Sequence, residues 1–325
     1  VYVTSYYSGW AVTVAGPKGG FYAHRTGATN TAPTVSPAVS VSTTGTGTQA
    51  GYFWDADGTE FVISKDQQIS ARMFGAYGNG TTLDTTAWKD AILFSPNRTI
   101  YGFGEDTYLI DGYLQSFTAG GGVDGQGCDF KMDDGYWGRL FYVASVDFVT
   151  LKNFRIDGNR DNYVSGDAAA SGYDKSQVSG VLFQDCNDCT VDNVHLREWP
   201  TNIGIGFRTS DQSHGNNNCL NSSVKETGKV WDASYNYLWH VTSFDIGTNN
   251  THVTNCHAVN VNDTGFTIGE DGPNGVTVGM CSFEITNDYS SSNAAPGDAG
   301  VAHALSIRGD MALYDTSHNT VTGFS

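Results

Sequence analysis

Long apolar runs, basic clusters and any repeating helical periodicity are missing from this 325-residue chain. No stretch approaches the ~18 consecutive apolar residues that a helix needs to cross a bilayer. Lysine and arginine total 17 against 34 acids, a formal net charge of −17. Phosphate binding relies on clustered cations, so nucleic acid is a poor partner, and a strongly anionic glycan is disfavoured. Methionine is scarce at four residues, whereas 40 glycines, 17 tyrosines and 17 phenylalanines favour strands and turns. Cysteine is limited to six. Cys186 and Cys189 form a C-x-x-C, but no second pair or paired histidines follow at zinc-binding spacing. The expectation is that no metal or other cofactor is needed, and that the thiols are buried and free.

What the chain does contain is one short phrase, repeated. Valine, leucine or cysteine is followed two residues later by Asn, Gly or Met. Leu151, Val191, Cys219, Val253, Val278 and Val321 hold the equivalent place, at steps of 40, 28, 34, 25 and 43 residues. A fixed unit with elastic spacing reads as a solenoid with variable loops. A second apolar strand precedes each phrase: Phe141–Val143, Val181–Phe183, Ile203–Phe207, Tyr237–Trp239, Gly265–Ile268 and Ala304–Ile307. Two short strands per repeat would stack into parallel sheets about 4.8 Å apart per rung, with turn asparagines forming side-chain ladders. Cys256 and Cys281 recur at equivalent places and predict one inward stack. The stretches 158–177, 208–216, 228–236, 269–275 and 286–302 read as insertions gathered on one face, where binding normally lives.

Residues 1–68 form a separate expectation, an N-terminal neck, linker or virion-proximal β module. Within it, Gly51-Tyr-Phe-Trp-Asp-Ala-Asp-Gly58 and Glu60-Phe-Val-Ile63 predict a hairpin around Asp57-Gly58. Residues 69–325 form the solenoid. Asp84 offers a helix N-cap before Ala87, Trp88, Ala91 and Ile92, whose spacing predicts one short helix closing the first rung. The chain starts at Val1 without Met and stops at Ser325 within a repeat phrase. Both ends therefore read as trimmed, with the lower end of the solenoid missing.

The segment Phe74-Gly-Ala-Tyr-Gly-Asn-Gly-Thr-Thr-Leu-Asp-Thr-Thr-Ala-Trp-Lys-Asp-Ala-Ile92 resembles the entry segment of pectate-lyase-like right-handed parallel β-helices. Asn79 and Leu83 depart from the usual aspartates, while Asp84, Thr85 and the glycines match. Gly20-Phe-Tyr-Ala-His24, followed by the Gly51–Val62 segment, resembles the neck of bacteriophage tailspike and tail-fibre proteins. The resemblance implies an all-β fold, a right-handed parallel β-helix with a small N-terminal neck and a short capping helix. It also implies a homotrimer on a virion tail that is assembled in the host cytoplasm and contacts other tail proteins through its N-terminal region. Its partner would be a bacterial surface polysaccharide, capsule or lipopolysaccharide, bound and often cleaved.

Glycan hydrolysis needs two carboxylates, about 5 Å apart for retention or roughly 6.5–9.5 Å for inversion. Leu196 is equivalent to Val224 in the repeat register, so Glu198 and Glu226 each sit two residues beyond. They form either an acid pair at one corner or two solvent-facing acids. Asp232 and Asp263 are the next catalytic candidates, and Asp263 reads equally as a turn cap. Trp199, Trp231, Tyr235 and Trp239 offer sugar-stacking faces, and Arg208 and His240 offer polar contacts. Asp157-Gly-Asn-Arg-Asp161 reads as a structural turn. A lyase would need a base such as His240, His257, Arg208 or Tyr235, and no calcium cluster of the pectate-lyase kind stands out. The reading preferred is a glycoside hydrolase depolymerase. The alternatives are a non-catalytic receptor-binding tail fibre and a secreted polysaccharide lyase.

Overall fold

The computed structural model describes residues 2–6, 11–16, 19–29, 52–54, 59–64, 67–136, 138–162, 178–200, 202–211, 213–225, 241–261, 264–269, 273–284, 303–307 and 320–323. The first five strands, Tyr2–Tyr6, Ala11–Gly16, Gly19–Thr29, Tyr52–Trp54 and Thr59–Ile63, form one antiparallel sheet. Tyr52 pairs with Val62 and Trp54 with Glu60, which is the hairpin expected around Asp57-Gly58.

From Ile69 onward the chain winds as a parallel β-helix. On one face Ile69, Ile100, Val123, Leu151, Val191, Cys219, Val253, Val278 and Val321 pair in a single register. The six equivalences of the repeat phrase are all present, and three earlier rungs precede them. A second face runs through Tyr108, Phe130, Ile156, Leu196, Val224, Ala258 and Phe283. A third, through Phe141, Val181, Ile205, Phe244, Phe266 and Leu305, forms its own parallel sheet.

Three faces replace the two strands per repeat read from sequence. The cause is local. Asn153, Asn193, Asn221 and Asn255 adopt φ of 59°, 55°, 50° and 54° inside what reads as one apolar run, and each turns the chain from the first face to the second. The left-handed conformation costs an ordinary L-residue about 1–2 kcal/mol, which Asn tolerates through its short polar side chain. A ladder of side-chain bonds holds the column. Asn193 Nδ2 donates to Asn153 Oδ1 (3.0 Å) and Asn255 Nδ2 to Asn221 Oδ1 (2.9 Å), while Asn221 Nδ2 turns aside to Asp192 Oδ1 (2.9 Å). Met280, at φ 52° and 65% exposed, holds the same column without an amide.

The third face also corrects one strand. Ile205 pairs with Phe244, so the strand of that rung is Val241–Ile246. Tyr237–Trp239 lies outside the described residues. Variable segments leave at two corners rather than one. Residues 158–178, 198–201 and 226–240 join the second face to the third, and residues 209–217 and 269–276 join the third to the first.

Stacking equivalent side chains fills the interior, with Phe183 on Phe207 (5.2 Å) and Phe244 on Phe266 (4.7 Å) nearly parallel. All six cysteines are buried and free. Cys256 lies 3.8 Å from Cys219 and one rung from its equivalent Cys281. The helix Thr85–Phe94 covers the first rung, burying Ala87, Trp88, Ala91 and Ile92, with Trp88 against Tyr108 (5.1 Å) and Phe130 (4.9 Å). Asp84 holds the N-cap position but makes no side-chain cap bond. Its carboxylate accepts from Tyr77 N (2.6 Å) and Gly78 N (3.1 Å) instead, closing the glycine-rich loop. Among the described residues, no helix is long and apolar enough to cross a membrane.

Candidate functional site

The register read from sequence holds at the candidate acid pair: Leu196 pairs with Val224 and Arg197 with Lys225. Glu198 therefore follows Arg197 as Glu226 follows Lys225. Glu198 leaves the strand at φ 53°, and its carboxylate is 27% exposed, 2.9 Å from Arg160 Nη2. Glu226, Asp232, Asp263, Trp231, Tyr235, Trp239 and His240 lie outside the described residues.

Arg160 comes from the turn beginning at Asp157, one rung earlier. Asp157 accepts from Asn159 N (2.9 Å) and from Arg197 Nη2 (2.9 Å). Asn159 Nδ2 reaches Met132 O (3.0 Å) and Asp134 Oδ1 (2.7 Å). The Asp-Gly-Asn wording is thus a rung turn, as expected, but it also delivers a guanidinium to Glu198. That link was not read from the sequence.

Trp199 requires a correction. It is wholly buried in the core, so no sugar can stack on its face. Arg197 points outward and the left-handed backbone at Glu198 breaks the alternation, turning the next side chain inward. Arg208 is 25% exposed, with Nε 2.6 Å from the buried carboxylate of Asp245. Its guanidinium is anchored on the third face rather than free to sweep the surface.

The corner after Arg208 brings Asp185, Asp211 and His214 together, with one potential ligand atom of each within 4.8 Å of the others. Hydrogen bonding within the loop already uses the Asp211 carboxylate. Its Oδ1 accepts from Ser213 Oγ (2.6 Å) and Ser213 N (2.9 Å), and these bonds hold its pKa down at about 2.

A second group of polar side chains went unread in the sequence. On the outer surface of the second face, His195, Ser223, His257 and Ser282 occupy one column on four successive rungs. His195 Nδ1 lies 2.9 Å from Ser223 Oγ, and His257 Nδ1 lies 2.6 Å from Ser282 Oγ. The other nitrogen of His195, Nε2, lies 2.9 Å from Asn193 Oδ1. A carbonyl oxygen only accepts, so Nε2 carries the proton. In the neutral imidazole Nδ1 then accepts, and Ser223 donates. Burial, aided by the positive charges of Lys225 and Arg155, holds the His195 pKa below its ordinary value and favours the neutral form. The signal was available: counting one residue back from Leu196 and Val224 places His195 beside Ser223.

No family model and no curated protein sequence matches the chain. Solved structures resemble it at low identity. The endo-xylogalacturonan hydrolase of Aspergillus tubingensis is 18% identical with a TM-score of 0.53, covering 68% of this chain and 60% of its own. The enzymatically active domain of tailspike protein 2 from bacteriophage CBA120 is 11% identical with a TM-score of 0.41, covering 94% of this chain and 57% of its own. The pre-mature gene product 12 of bacteriophage phi29 is 14% identical with a TM-score of 0.47, covering 78% and 33%. The likeness to the hydrolase shows the fold, a right-handed parallel β-helix, and the chain spans 60% of that enzyme's length.

Proposed function

We propose that the chain is a phage tailspike-type β-helix that binds a bacterial surface polysaccharide and shortens it by glycosidic hydrolysis. The observation that carries this reading is the pairing of Arg197 with Lys225. It supports reading Glu198 and Glu226, each one residue beyond that pair, as neighbours on adjacent rungs, where strands are about 4.8 Å apart, close to the ~5 Å carboxyl separation of retaining glycosidases. A carboxylate paired with Arg160 suits the anionic member, and Glu226 is then the proton donor. Trp231, Tyr235 and Trp239 supply stacking faces for sugar rings within the same corner, with Asp232, Asp263 and His240 as hydroxyl partners, and Arg208 binds from the next corner. The protein acts as a homotrimer on the virion tail, outside the cell, after assembly in the host cytoplasm, joined to other tail proteins through its N-terminal region.

The experiment is incubation with capsule and lipopolysaccharide from a panel of hosts, followed by chromatography of the products. The expected result is shortened chains without the ultraviolet absorbance of an unsaturated uronate. Glu198→Gln and Glu226→Gln should each slow cleavage by about 10²–10⁴-fold while retaining binding. Absorbing products would make the protein a lyase and discard the carboxylate pair, and binding without shortening would make it a receptor-binding fibre. Light scattering that gives a monomer would refute the trimer.

A further inference from the structure

One line of hydrogen bonds crosses four rungs and ends on a serine. Asp124 Oδ1 accepts from Asn153 Nδ2 (3.1 Å), and Asn153 Oδ1 accepts from Asn193 Nδ2 (3.0 Å). Asn193 Oδ1 accepts from His195 Nε2 (2.9 Å), and His195 Nδ1 faces Ser223 Oγ (2.9 Å). Every bond runs in one sense. Asn153 spends its amide on Asp124, so its oxygen must receive Asn193, and the oxygen of Asn193 must then receive His195. A carboxylate at the foot of such a chain polarises each member in turn, leaving the unprotonated nitrogen of His195 aimed at a hydroxyl.

We propose that Ser223 is the nucleophile of a second hydrolytic site, in which His195 is the general base, Asn193 positions it, and the substrate is a small O-acyl ester such as an acetylated alcohol or sugar hydroxyl. Ser223 Oγ forms a bond to the ester carbonyl carbon as its proton passes to His195 Nδ1. The C–O bond to the alcohol then breaks, and the alcohol departs with that proton. Water attacks the acyl-serine, giving its proton to Nδ1, and the acid leaves as Ser223 is restored. No oxidant, reductant or metal is consumed. Ser223 is 4% exposed and pairs in register with His257, so it lies between two imidazoles. A hydroxyl so covered suits a small acyl group rather than a polymer backbone. Lys225, two residues along the strand on the same face, supplies positive charge for the developing oxyanion.

The protein contains its own control. His257 faces Ser282 (2.6 Å) as His195 faces Ser223, and Asn255, in the place of Asn193, gives its amide to Asn221 (2.9 Å) as Asn193 gives its own to Asn153 (3.0 Å); the two differ in the link to the imidazole. Among the described residues, no bond joins Asn255 to His257. The full chain is to be treated with a fluorophosphonate probe, which phosphonylates an activated serine with loss of fluoride, and the adduct located by peptide mass. Hydrolysis of p-nitrophenyl acetate is measured alongside. The expected adduct is on Ser223 and not on Ser282. Ser223→Ala should lower both rates at least 100-fold, Ser282→Ala should leave them unchanged, and Asn193→Asp, which keeps the acceptor, should recover what Asn193→Gly loses. An absent adduct, equal labelling of Ser282, or labelling undiminished in Ser223→Ala would overturn the proposal. The probes contain no sugar, so failure here leaves the glycan reading intact, and the reverse also holds.

Discussion

Replacing Met280 by Asn should stabilise the protein. Met280 stands in the column of Asn153, Asn193, Asn221 and Asn255, with φ 52° and 65% of its surface exposed. Two terms separate Asn from an ordinary residue here. Asn tolerates the left-handed backbone that costs other side chains about 1 kcal/mol or more. Its amide also completes the ladder: Asn255 already donates to Asn221 (2.9 Å), leaving its Oδ1 to accept from the rung above, a bond worth about 1 kcal/mol net. Loss of the buried part of the methionine works against both, so the informative comparison is with Met280→Ala. Alanine loses the same packing, keeps the backbone cost and makes no bond. Asn should exceed Ala by about 2 kcal/mol, or roughly 4 °C in midpoint for a chain of this size. Denaturant and thermal unfolding of the two variants measure it. Equal midpoints, or Ala above Asn, would refute the account of the turn column.

Three further outcomes follow from packing and charge. Trp88→Ala empties the space over Tyr108 and Phe130 that the capping helix fills and should cost about 3–5 kcal/mol, read by denaturant midpoint; a loss under 1 kcal/mol would mean that the helix is not what closes the first rung. Gly122→Ala places a Cβ into the carbonyl oxygen of Thr150, a rigid backbone atom of the next strand, and should abolish cooperative folding or soluble yield, whereas a wild-type midpoint would refute the rung spacing. His195 protonates near pH 6.5 when unfolded and lower than that when folded, so the unfolded chain binds more protons across that window. Its contribution is complete above about pH 6.5 and lost as pH falls. The advantage of wild type over His195→Gln should therefore shrink on acidification from about pH 7.5 to 5, and a constant or growing advantage contradicts it.

Much of the fold is legible in the sequence because a stacked solenoid forces equivalent side chains into contact. Leu151, Val191 and Cys219 must share one interior position, and a shift by one residue would expose the whole apolar set. The three-faced cross-section is not legible in the same way. Its corners depend on single asparagines whose φ changes sign within an otherwise continuous strand pattern. Trp199 was misplaced for a related reason: alternation predicts an outward ring, and the left-handed backbone at Glu198 cancels it. Asp84 marked the start of a helix correctly but spends its carboxylate on the preceding loop, a choice fixed by tertiary proximity. The register of Leu196 with Val224 could be counted, whereas Arg160 reaches Glu198 only through the folded turn at Asp157. His195 and Ser223 follow from the same count, one residue before Leu196 and Val224.

The corner that carries Glu198 has a consequence for how such a protein can change. Four residues, 198–201, join Arg197 to the strand starting at Asn202, whereas 21 residues, 158–178, join Asp157 to the strand starting at Ser179. Both connections feed strands of the same two faces in the same register. Loop closure costs about 0.6 kcal/mol per doubling of length, so the longer connection is disfavoured by only about 1.4 kcal/mol. Whole segments can therefore be exchanged or lengthened at this corner over generations while the strands beneath them stay put. A lineage under pressure to recognise a new surface would rewrite the margin of this molecule and leave its spine alone.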